Sequence, residues 1–224
     1  MSSSSSPCGS LTFISKCKVV PEKNSTLGDL KLSISDLNML LCHYIQKGCL
    51  FTAPSLPSQA LIPHLTKALS HTLSLFPPFA GRLKTDVDGY VYIACNDAGV
   101  DFIHATAADI SVADLLSPTD VHPIFKQLFP YPHKISYTAH SSPIMAFQVT
   151  EFADGVFIGF AVCHAVTDGA TLWNFLNTFA VISRGETASP SKLPDFCRDS
   201  ILTSKVVLQL PKGDNTYDKK KTFF

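Results

Sequence analysis

The chain has 224 residues with 18 basic and 18 acidic side chains, so it carries no net charge. That balance excludes the basic field that would hold a nucleic acid or an anionic membrane. With 46% hydrophobic residues, the chain can bury a core without disulfides or metal, which excludes a disordered, fibrous or cystine-scaffold protein.

In chain order, residues 1–10 are Ser-rich and read as a disordered lead, with neither the basic start nor the apolar run of a secretory signal. Leu11 to Val20 reads as a strand and Pro21 to Gly28 as a polar turn. Ser35 to Cys42 is expected as a short helix capped by Ser35 or Asp36. Tyr44 to Thr52 returns to strand, ended by Pro54 and Pro57. A strong helix is expected from Ile62, with Pro63 at its first position. Leu65, Leu69, Thr72 and Phe76 mark its apolar stripe, and Pro77-Pro78 stop it. Gly89 to Cys95 and Val100 to Ala105 read as two strands of a hairpin joined by Asn96 to Gly99. Val112 to Leu116 and His122 to Phe129 are short helical segments, and Tyr131 to Ser142 is irregular.

Ile144 to Phe152 and Val156 to Cys163 are strands joined through Asp154-Gly155, the best hairpin signal in the chain. The second is apolar on both faces, as a central, covered strand is. His164-Ala-Val-Thr-Asp168-Gly169 follows directly. Then comes a second strong helix carrying Leu172, Phe175, Leu176, Phe179 and Ile182, ended by Ser183 to Gly185. Beyond Glu186, prolines punctuate a linker-like segment, with Val206 to Leu210 as an edge-strand candidate and Lys219 to Lys221 as a solvated tail. The fold class is α/β, a mixed sheet with covering helices.

The seven cysteines, Cys8, Cys17, Cys42, Cys49, Cys95, Cys163 and Cys197, have no paired spacing. They read as free thiols of a reducing compartment, and a cytosolic location is expected. No apolar run is long enough to span a bilayer.

The chemistry is expected at His164. An imidazole at the exit of a buried strand sits where rigid scaffold meets open loop, with a pKa suited to proton abstraction near neutrality. Two structural readings stay open: His164 as a satisfied core histidine, and Asp168 as a plain helix cap. Metal binding is disfavoured, because His164 and Asp168 supply two ligands and no third lies nearby at zinc-like spacing. Cys163 points away from its neighbour along the strand and is expected in the core.

His164 to Gly169, placed on strand, turn and helix, resembles the H-x-x-x-D-G signature of the BAHD acyltransferases of plants. Phe76-Pro-Pro-Phe-Ala-Gly-Arg82-Leu83 is similar to the segment after that family's first long helix. Leu32-Ser33 to Asp36-Leu37 and Asn96 to Val100 resemble two further elements. His43 to Gly48 and Trp173 to Ala180 resemble a narrower, cutin-associated branch. The likeness covers about residues 11–212.

The resemblance implies a chloramphenicol-acetyltransferase-like fold and acyl transfer from acyl-CoA, a co-substrate rather than a bound cofactor, to a hydroxylated or amine acceptor. It implies that His164 is the general base and that Asp168 turns away and orders the loop. Gly169 would let the chain turn tightly into the helix, and Arg82 would be structural. It also implies an acyltransferase domain over 11–185, a crossover segment and divergent tail over 186–224, and a missing second domain that would carry most coenzyme A contacts. Exposed docking surface is then expected to cause self-association.

Overall fold

The computed structural model describes residues 10–52, 56–116, 121–187 and 194–196. The N-terminal lead up to residue 9, Cys8, Cys197, the strand expected at Val206 to Leu210 and the lysine run lie outside the described residues.

A five-stranded sheet forms the body, in the order β1-β6-β7-β8-β3. Its strands are β1 (Thr12–Val19), β3 (Ile45–Thr52), β6 (Val100–Ala107), β7 (Met145–Phe152) and β8 (Gly155–Val162). β6 and β7 run parallel and the other neighbours antiparallel, so the sheet is mixed as expected. A smaller sheet joins β2 (Leu30–Lys31), β5 (Val91–Ala94) and β4 (Arg82–Thr85). The helices are α1 (Ile34–Asn38), α2 (Ser58–Leu75), α3 (Val112–Leu115) and α4 (Gly169–Ser183).

One face of the large sheet is covered by α2 and α4. The helical spacing of Leu61, Leu65, Leu69 and Leu73 on α2, and of Leu172, Phe175 and Phe179 on α4, puts these side chains in one buried cluster with Phe147, Val149 and Phe160. Aromatic edges organise it: the Phe175 ring lies 5.2 Å from Phe76 and 4.8 Å from Phe79, and Phe179 lies 5.6 Å from Phe147. Each such ring contributes about 1.5–3 kcal/mol through burial alone. On the opposite face Ile110, Leu115, Ile124 and Leu128 bury Phe152 and Phe157 in a second cluster. There Gly48 of β3 faces Gly159 of β8, and the Phe157 ring lies across both. A Cβ on Gly159 would meet Leu128 O at 2.2 Å, so the close approach of that carbonyl requires glycine.

Four expectations change. The cap of α1 is Ser33, two residues before Ser35. Its hydroxyl accepts from Asp36 N while the Asp36 carboxylate accepts from Ser33 N, a capping box. α2 begins at Ser58 behind Pro57, so Pro63 lies inside the helix rather than at its first position. The Thr66 hydroxyl donates to Ile62 O and Pro63 O beside it.

The strands read as a hairpin around Asn96 to Gly99 belong to different sheets: β5 pairs with β4 and β2, and β6 with β1 and β7. The turn residues are real, with Asp97 and Gly99 at positive φ. They carry the chain from one sheet to the other, and β4 is the partner that the sequence pattern missed. Finally, the irregular segment Tyr131 to Ser142 contains a 3-10 turn, Ser136–His140.

Candidate functional site

β8 is paired on both sides, by β7 and β3, as far as Val162. One more ladder bond follows, Cys163 N donating to Ile144 O at 2.8 Å. The chain then leaves the sheet at His164 and turns, with Val166 N donating to Cys163 O. The His164 backbone N–H has no strand to pair with and donates instead to the Ser136 hydroxyl, at 2.9 Å. Its side chain is half-buried, and Nδ1 is buried without a hydrogen bond among the described residues. The satisfied core histidine is therefore not what stands here.

Asp168 ends the turn as the cap of α4. Its backbone is extended and its Oδ1 accepts from Thr171 N at 2.7 Å. That backbone hydrogen bond holds its carboxyl below the usual aspartate range. The carboxylate thus serves the helix, and no hydrogen bond joins it to the imidazole. Gly169 departs from expectation: its φ is not positive and a Cβ there meets no atom within 4 Å, so the turn into α4 does not require glycine.

Cys163 is fully buried, and burial pushes its thiol up to about 11. It stays protonated near neutrality, as a core residue does. Arg82 is structural as expected. Its Nη1 donates to Gly81 O and Gly99 O and its Nη2 to Ala98 O, fastening the loop that passes between the two sheets. Cys17, Cys42, Cys49 and Cys95 are free thiols too. Among the described residues no group of His, Cys, Asp and Glu could hold a metal ion, and no helix is long and apolar enough to cross a membrane.

Ser136 is the site residue that sequence reasoning missed. It lies in an irregular stretch 28 positions before its partner, with no periodicity or motif to mark it. A second feature was also unmarked: an apolar cavity of about 520 Å³ between the sheet and the helix pair. Leu61, Leu65, Ile158, Phe160, Leu176 and Phe179 line it. His164 does not, so the cavity lies along β8 and the imidazole beyond its end.

Comparison with known proteins agrees with this arrangement. The chain is 41% identical over 181 residues to an uncharacterized acetyltransferase of Arabidopsis thaliana, covering 77% of this chain and 40% of that protein. It is 34% identical over 222 residues to the BAHD acyltransferase DCR of the same plant, covering 92% of this chain and 45% of that one. Among solved structures, vinorine synthase superposes with a TM-score of 0.71 at 26% identity, over 84% of this chain and 45% of its own. The chain therefore spans less than half the length of the curated relatives it matches. The Transferase family matches residues 9–222, and with the sheet, the helix pair and the His164 turn in place, the chain belongs to that family, the BAHD acyltransferases.

Proposed function

We propose that this chain supplies the base of an acyl-CoA-dependent acyltransferase. The His164 imidazole takes the proton of an acceptor hydroxyl or amine as that atom bonds to the thioester carbonyl. The C–S bond then breaks, the acyl group stays on the acceptor, and the imidazolium returns the proton to the leaving thiolate, giving free coenzyme A. Acyl-CoA is a co-substrate in this reading, and no resident cofactor takes part. Asp168 and α4 hold the turn, and residues 11–185 form the unit that carries it. The observation that carries the reading is the half-buried His164 at the exit of β8, its Nδ1 buried and without a hydrogen bond among the described residues.

The test is release of coenzyme A thiol from a panel of acyl-CoA donors, with alcohol, amine and hydroxy-fatty-acid acceptors, for the wild-type chain and His164→Ala. Acceptor-dependent release that falls about 10²–10⁴-fold in the variant is expected. Release that survives the substitution would overturn the assignment of His164.

The finer part of the proposal is a hydroxylated lipid acceptor of the plant cuticle. Its support is the branch resemblance of His43 to Gly48 and Trp173 to Ala180, together with the likeness to the acyltransferase DCR. Normal cutin monomers in plants lacking the gene would remove this part and leave the acyl-transfer reading standing.

A second reading has its own observation. The apolar cavity beside α2 and α4, with Leu41 exposed ahead of β3 and Phe51 exposed within it, favours a chain that associates with a copy of itself. Sizing chromatography that returns a monomer with no binding of a hydrophobic dye would dismiss it.

A further inference from the structure

A base at the end of a strand has to be aimed, and the usual means is a hydrogen bond from another group to the second ring nitrogen. His164 lacks that means among the described residues: Nδ1 is buried and unpartnered, and Asp168 is committed to the helix. The imidazole then takes its direction from its own backbone, and the question becomes what fixes the backbone once β8 has left the sheet.

The bond at that point is the one from His164 N to the Ser136 hydroxyl, 2.9 Å. Ser136 is fully buried and is itself held on several sides. Its N–H donates to Cys42 O at 2.8 Å, and Tyr44 N donates to Lys134 O at 2.8 Å, so a short antiparallel bridge ties residues 134–136 to the approach of β3. β3 is in turn the strand that pairs Ile45 with Val162 of β8. The Ser136 carbonyl lies 3.5 Å from the Cys163 thiol, which donates to it. At the far end of the same 3-10 turn, His140 Nδ1 donates to Tyr137 O while its Nε2 lies 3.0 Å from the Thr85 hydroxyl, which ties the turn to the small sheet.

The approach to Ser136 is also constrained. Tyr131 and His133 take the left-handed conformation, with φ of 57° and 62°. Tyr131 is kept there by its hydroxyl donating to the Asp101 carboxylate and by its ring meeting Tyr44 edge-on at 5.7 Å. A backbone fixed this thoroughly, with the side chain fully buried, gives His164 N–H a stationary acceptor.

We propose that Ser136 is a positioning residue for His164, its hydroxyl standing in for the missing strand and setting the backbone from which the imidazole is aimed. The inference rests on the reading of His164 as the base, and it is tested by a readout that needs no turnover. In the ¹⁵N-labelled full chain, Ser136→Ala is compared with wild type and with Ser136→Thr, which keeps the hydroxyl. Three quantities are followed: amide exchange at His164, amide exchange at Val149 in β7 as a control for general stability, and the imidazole ¹⁵N shifts of His164 against pH.

The expected result is at least tenfold faster exchange at His164 with Val149 unchanged within twofold, altered imidazole shifts, and recovery of both in Ser136→Thr. Where coenzyme A release is measurable, kcat falls at least tenfold in Ser136→Ala with KM for acyl-CoA within threefold. Unchanged exchange and shifts at His164 overturn the proposal. Equal acceleration at His164 and Val149 also overturns it, because Ser136 would then serve stability alone. Failure of the base reading shows separately, as thiol release that survives His164→Ala while the Ser136 readouts still report on the clamp.

Discussion

The two ends of β8 solve opposite problems. Where the strand leaves the sheet, at Cys163 and His164, order comes from directed bonds: Cys163 N to Ile144 O, His164 N to the Ser136 hydroxyl, and Thr171 N to the Asp168 carboxylate. Toward its start, at Val156 and Ile158, one face looks into an apolar cavity and order comes from shape, with Phe160 and Phe147 on one side and Phe157 across paired glycines on the other. The first end depends above all on its donors and acceptors. The second depends on volume and has few polar groups to lose.

Substitutions can break that contrast, and the largest effect is expected at the apolar end. Phe160→Ala removes a ring that is 2% exposed and should cost about 3–5 kcal/mol in urea unfolding, because the cavity beside it enlarges. Gly159→Ala should cost about 1–3 kcal/mol, since the new Cβ meets a backbone carbonyl that cannot step aside. A melting curve unchanged by Gly159→Ala would show that the Leu128 segment yields and that shape matters less there than proposed.

At the polar end Asp168→Ala should cost about 1 kcal/mol, the ordinary loss of a helix cap. The sign with pH follows from the depressed carboxyl. Its contribution is present above the usual aspartate range and is lost as pH falls below that range through the lower, folded value. Wild type and variant should therefore converge in stability in acid and separate at neutrality. Gly169→Ala is expected to change stability by less than about 0.5 kcal/mol, because nothing occupies the space in front of it.

The same contrast explains what could be read from the chain. Local chemistry was legible: Asp154-Gly155 turns β7 into β8, the stripe from Leu172 to Phe179 makes α4, and Asp168 before Gly169 caps it. Errors arose where a local signal has two uses. Asn96 to Gly99 has the residues of a hairpin turn, yet which strands flank it is decided by partners far along the chain, and the four-residue β4 is too short to announce itself. Pro63 has the look of a helix start, but Pro57 had already provided one. Ser136 and the cavity could not be read at all, since both exist only after distant segments meet. The histidine was visible in the sequence and its support was not.

The packing of Gly48, Gly159 and Phe157 carries a consequence for how this surface can change over generations. A Cβ on Gly48 would come within 2.2 Å of the Phe157 ring, and one on Gly159 within 3.1 Å of it. The three positions share one volume, so their substitutions are not independent. Enlarging Gly48 is costly while the ring is present and less so once residue 157 has become smaller, when the Ile158 carbonyl at 3.1 Å is the remaining close contact, whereas Gly159 stays locked by the Leu128 carbonyl whatever happens at 157. Lineages drifting through this region are therefore expected to alter 48 and 157 as a pair, in that dependent order, and to leave 159 alone.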